Sequence, residues 1–126
     1  MSIQKIKLYG TTATGGALTV TSDHDVLGKL VAVDWIDGTL SDGVDAVLTT
    51  IAQDDLPAKT LLTLTDANSD ARYYPQTPAQ DNAGADVTFD GTNEIYTEQI
   101  VNGKLSLAVT SGGDAKVGGC IVYVEC

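Results

Sequence analysis

KLSLAVT, residues 104–110, decides the fold. Leu105, Leu107 and Val109 fall on one side of an extended chain, and Lys104, Ser106, Ala108 and Thr110 on the other. That period of two is the mark of a strand with one dry face and one wet face. The same alternation recurs along the chain, and nowhere is a 3.6-residue period sustained over a dozen positions. Strands are predicted at IQKIKLY (3–9), ALTVTS (17–22), GKLVAVDWID (28–37), VDAVLTTIA (44–52), KTLLTLT (59–65), ARYY (71–74) and KVGGCIVYV (116–124). VAV at 31–33 and CIVYV at 120–124 are apolar on both faces, as central strands of a sandwich or strands at an interface are. Trp35 shares its parity with Val31 and Val33, which predicts a core tryptophan.

Between the runs lie ATGG, SDHD, DGTLSDG, TDANSD, FDGTN, VNG and SGGD, rich in residues that tolerate positive φ or close Asx turns. Turns at intervals of about 8–12 residues predict an all-β protein. The expected architecture is one antiparallel β-sandwich domain, jelly-roll-like, spanning residues 1–126. Val101-Asn102-Gly103-Lys104 is expected to form a tight hairpin with Asn-Gly at its tip.

The tract RYYPQTPAQD, residues 72–81, breaks the pattern with two of the five tyrosines and two of the three prolines. From Pro75 to Glu98 there is no clean alternation, so this span is expected to be a long connection with one short extended piece at DVTFD. Connections of that length in compact domains tend to be functional or to cross between sheets. Proline removes a ladder N–H, which places Tyr73-Tyr74-Pro75 at the end of an edge strand.

Composition narrows the function. With 126 residues, 43% of them hydrophobic but only one Phe and one Trp, the chain can build one core, mainly from Val, Leu, Ile and Ala. Seven basic residues against seventeen acidic ones give a net charge of −10, which repels phosphate backbones and argues against a nucleic-acid partner. No stretch reaches the ~18 apolar residues of a membrane helix, and the opening MSIQKIKLYG holds no signal-peptide core, so synthesis in a cytoplasm and no membrane partner are expected. Cys120 and Cys126 would stand about 20 Å apart on a straight strand, too far for a disulfide within the chain.

Catalytic chemistry finds little to work with. His24 is the sole histidine and has no nucleophile elbow beside it, and one His with two distant Cys cannot supply four zinc ligands. Asp34, Asp37, Asp42 and Asp45 cluster in DWIDGTLSDGVD without the spacing of a calcium loop, and turn aspartates closing backbone N–H groups account for them. ATGGA and SGGDAKVGG lack the Lys-Ser/Thr and following helix of a phosphate loop. No catalytic, cofactor-binding or metal-ligating residue is therefore assigned, and a non-enzymatic role is expected.

Three pieces in order, GKLVAVDWIDGTLSDGVDAVLTT (28–50), TLLTLTDANSDARYYPQTPAQDNAGADVTFDG (60–91) and KLSLAVTSGGDAKVGGCIVYVE (104–125), resemble the decoration or cement proteins of tailed bacteriophages. The resemblance is one of pattern and covers most of residues 28–125. It implies a structural virion protein on the outer capsid surface, partnered by the major capsid protein and by itself, as a homotrimer. On that reading Arg72, Tyr73, Tyr74 and Pro75 begin an arm that packs on a neighbouring subunit, with Phe89 and Tyr96 as further anchors, because Tyr and Arg bury large area at modest entropic cost. Alternatively these aromatics cap the sandwich beneath their own loop. A carbohydrate- or receptor-binding module of a phage fibre or tail is the competing expectation.

Overall fold

The structure is a computed structural model that describes residues 2–52 and 56–126. The described residues form eleven strands: β1 (Ile3–Thr11), β2 (Leu18–Thr21), β3 (Val26–Ile36), β4 (Asp45–Thr50), β5 (Thr60–Leu64), β6 (Ala71–Tyr73), β7 (Gln76–Pro78), β8 (Tyr96–Glu98), β9 (Ile100–Gly103), β10 (Leu105–Thr110) and β11 (Val117–Glu125). All pairings are antiparallel. One sheet, here sheet A, runs β1-β11-β3-β6 with β9 also on β3, and the other, sheet B, runs β2-β10-β4-β5.

β6 and β9 are two halves of one edge strand. Both lie antiparallel to β3, β6 opposite Val33–Trp35 and β9 opposite Val26–Lys29. Counted as one, they leave eight body strands, of which the first pairs the last, the second the seventh, the third the sixth and the fourth the fifth. That nesting is a long hairpin rolled into two sheets, the jelly roll.

The alternation of KLSLAVT holds in space. Leu105, Leu107 and Val109 are buried, while Ala108 and Thr110 are exposed and Ser106 is half-buried. Facing them across the core are Leu8, Leu30, Val33, Trp35, Val122 and Val124 from sheet A. Each fully buried aliphatic side chain of this kind contributes about 1.5–3 kcal/mol. Trp35 is 1% exposed and its Nε1–H donates to the Ala67 carbonyl at 3.0 Å, so its one polar atom is satisfied inside the core.

Three expectations are corrected. Val101–Lys104 is not a hairpin: β9 belongs to sheet A and β10 to sheet B, so Asn102-Gly103 carries the chain across the sandwich, with Gly103 at φ 114°. Val31 is not a core partner of Trp35. Between Ala32, opposite Tyr123, and Leu30, opposite Val124, β3 holds one extra residue, and this bulge at Val31 reverses the parity of the strand. Val26 and Leu30 point inward before it, Val33 and Trp35 after it, and Val31 is left half-buried. The span from Pro75 to Glu98 is also more ordered than a connection, because β7 and β8 pair within it.

Candidate interaction surface

The two outer faces of the sandwich differ. Sheet B shows solvent small and polar side chains such as Thr19, Thr21, Ser106, Ala108, Thr49 and Thr63. Sheet A shows rows that mix large apolar and basic groups. One row runs Ile3, Glu125, Lys29, Ile100; the next brings Lys5 to Tyr123 and Ala32; a third runs Lys7, Ile121, Asp34, Arg72. Ile3 (57%), Leu27 (69%) and Ile100 (55%) are the most exposed apolar side chains of these strands. The double apolarity of VAV and CIVYV has its explanation here. Val122 and Val124 fill the core, whereas Ile121 and Tyr123 stand on the outside.

Toward the β6 edge of this face Arg72 holds Asp34 in a two-pronged pair, Nε to Oδ1 at 2.5 Å and Nη2 to Oδ2 at 2.8 Å. The Tyr123 hydroxyl donates to Asp34 Oδ2 at 2.8 Å, and the guanidinium lies 5.6 Å from the Tyr123 ring centre. Arg72 is the main reason that the Asp34 carboxyl is held down to about 2, and the hydrogen bond to Asp34 is the main reason that the Tyr123 phenol is pushed up. Among the described residues this is the single ion pair. Beside it a shallow depression of about 200 Å³ is lined by Ile3, Val31, Ala32, Arg72, Tyr74 and Tyr123.

The arm leaves the sheet at the Val31 bulge, between the two halves of the split edge strand. The Leu30 N–H donates to the Gln99 carbonyl at 2.8 Å, and Gln99 Nε2 donates to the Leu61 carbonyl at 3.0 Å, which anchors the returning chain. Farther out, Ala79, Val87 and Ile95 close a ring of backbone bonds: Ala79 N–H to Ile95 O (2.7 Å), Ile95 N–H to Val87 O (3.1 Å) and Val87 N–H to Ala79 O (2.9 Å). Asx turns close its two tips. Asp81 Oδ1 accepts from the N–H of Ala83 and Ala85, and Asp90 Oδ1 from those of Thr92 and Asn93. The Asn93 N–H, then that of Thr92, hold the Asp90 carboxyl below its ordinary value.

The six residues singled out in the sequence are spread over this surface rather than gathered in one cluster. Arg72 lies on the outer face of β6. Tyr73 turns inward and packs against the core. Tyr74 (64% exposed) stands at the root of the arm beside the depression, and Pro75 is half-buried immediately before β7. Phe89 (70%) and Tyr96 (55%) are exposed along the arm. Asp34, Tyr123, Lys5, Lys7 and Lys29 were not singled out for this surface, since they come from β1, β3 and β11 and share a face with Arg72 only through strand pairing.

The aspartates of DWIDGTLSDGVD diverge. Asp34 faces Arg72, Asp45 Oδ1 accepts from the Asp66 N–H, and Asp37 lies near Asp70 and Asp42 with its carboxyl pushed up, mainly by burial. Among the described residues no group of three His, Cys, Asp or Glu side chains is placed to hold a metal ion. His24 is exposed in the turn before β3. Compared with known proteins, the chain matches no family model, no curated protein and no solved structure.

Proposed function

We propose that the protein is a structural component of a tailed-bacteriophage virion, seated on the outer capsid surface, where it braces neighbouring copies of the major capsid protein. The outer face of sheet A carries this reading. A sheet whose second face shows Ile3, Leu27, Ile100, Ile121 and Tyr123 to solvent has the mixture of apolar, aromatic and arginine groups that protein interfaces favour. The exposed aromatics of the adjacent arm extend it. The pattern resemblance supplies the viral context, and the role calls for shape and apolar contact with no bond made or broken.

Sedimentation with empty shells assembled from the major capsid protein of the same virus tests the proposal. Saturable, stoichiometric pelleting that is lost in Ile121→Asp supports it; protein that stays in the supernatant at every ratio sinks it. The Tyr74–Tyr123 depression favours a second reading, a carbohydrate-binding module. Glycan-array binding abolished by Tyr74→Ser, with no attachment to shells, would put that reading in place of the first.

A further inference from the structure

Charge is divided unevenly over the molecule. The outer face of sheet A holds Lys5, Lys7, Lys29 and Arg72, four of the seven basic residues, but only Asp34 and Glu125 of the seventeen acidic ones. Three bases and fifteen acids remain for everything else. Because Asp34 is taken up by Arg72 and Tyr123, the face offers Lys5, Lys7 and Lys29 against Glu125 alone. The arm is its opposite. From Tyr74 to Gln99 it carries Asp81, Asp86, Asp90, Glu94 and Glu98 and no basic residue.

The two surfaces also match in their apolar content. Phe89, Ile95 and Tyr96 are exposed on the arm, and Ile3, Leu27 and Ile100 on the face. Apart from Gln99, the backbone hydrogen bonds of the arm among the described residues are internal to it, so it stands on its own hairpins with Phe89 and Tyr96 exposed. We propose that the acidic, aromatic arm of one copy docks on the basic, apolar outer face of sheet A of a second copy. The complementary charges set the orientation and suppress other partners, while the aromatic side chains supply the buried area. Arm and face are different patches of one chain, so each copy both gives and receives, and the contact propagates until it closes. This self-association draws on the same face that the virion reading assigns to the capsid, so the two contacts compete for it; an assembly that forms but ignores capsid shells overturns only the virion reading.

Light scattering on two variants and their mixture tests it. One is Lys5→Glu/Lys7→Glu, which spoils the face at exposed positions; the other replaces residues 75–98 by three glycines, which removes the arm. Wild-type protein is expected at a multiple of the 13.1 kDa chain mass, and each variant alone at the mass of one chain, with far-UV circular dichroism unchanged. Mixed, they should form a 1:1 complex that grows no further, since only one arm and one intact face remain. If the shortened chain does not fold, Phe89→Ser/Tyr96→Ser takes its place, mixed in the same way. Wild-type protein that stays at 13.1 kDa at high micromolar concentration, either variant keeping the wild-type mass, or a mixture that stays monomeric overturns the proposal.

Discussion

Tyr73 and Ile100, 27 positions apart in the chain, stand on the same side of β3 opposite Val33 and Lys29, which are four positions apart. The sheet edge is therefore continuous in space and interrupted only in sequence. The gap is about 13 Å along the strand, and a few residues can span it.

Removal of the arm is accordingly expected to spare the sandwich. With residues 75–98 replaced by three glycines and Gln99 kept for its bonds to Leu30 and Leu61, unfolding should stay cooperative, with Tm within about 5 °C of wild type. Loss of the cooperative transition would show that the arm is part of the fold.

The Asp34–Arg72–Tyr123 group predicts an acid-side dependence. The carboxyl of Asp34 is held at about 2, below its ordinary 3.8, so its contribution to stability is complete above about pH 4 and is lost as pH falls through 2. Carboxyl NMR titration should place the Asp34 midpoint near 2, and in Arg72→Gln the midpoint should rise towards the ordinary value. Asp34→Asn should remove this part of the acid dependence. An Asp34 midpoint near 4 in the wild type would contradict the geometry.

Gly38 is expected to resist substitution. It sits at φ 55° in the turn after β3, where a Cβ would run into the Val117 carbonyl oxygen, the same oxygen that accepts from the Thr39 N–H at 2.8 Å. Left-handed backbone and overpacking add, so Gly38→Ala should cost about 2–4 kcal/mol. Urea titration should show a lower midpoint at unchanged slope.

The two thiols should differ in reactivity. Cys126 is exposed, whereas Cys120 is buried at 1% exposure and its thiol is pushed up to about 12 by that burial. Ellman's reagent should titrate one thiol per native chain promptly and the second only in denaturant. Prompt reaction of both would mean that β11 opens in the native state.

Much of the fold was legible locally. Alternation is a property of neighbouring residues, so the two faces of KLSLAVT and ALTVTS could be read without any partner, as could the burial of Trp35. The edge position of Tyr73-Tyr74-Pro75 followed from the missing proline N–H, and β6 does end at Tyr73. Of the candidate surface, Arg72, Tyr74, Phe89 and Tyr96 stood out by residue type alone. Lys5, Lys7 and Asp34 did not, because nothing in an alternating strand says which outer face its polar members will share.

The amino-acid sequence by itself determined the strands of the sandwich body, the single aliphatic core and the acidity, since these depend on composition and on contacts one or two residues away. Tertiary structure alone decided that an extra residue at Val31 turns a strand over, that one edge strand is split around an arm, and that β1, β3 and β6 pool their bases on one face. The reason is physical: ladder hydrogen bonds join backbones without regard to side chain. Register and neighbours are therefore chosen by the packing of the whole sandwich and not by any stretch within it.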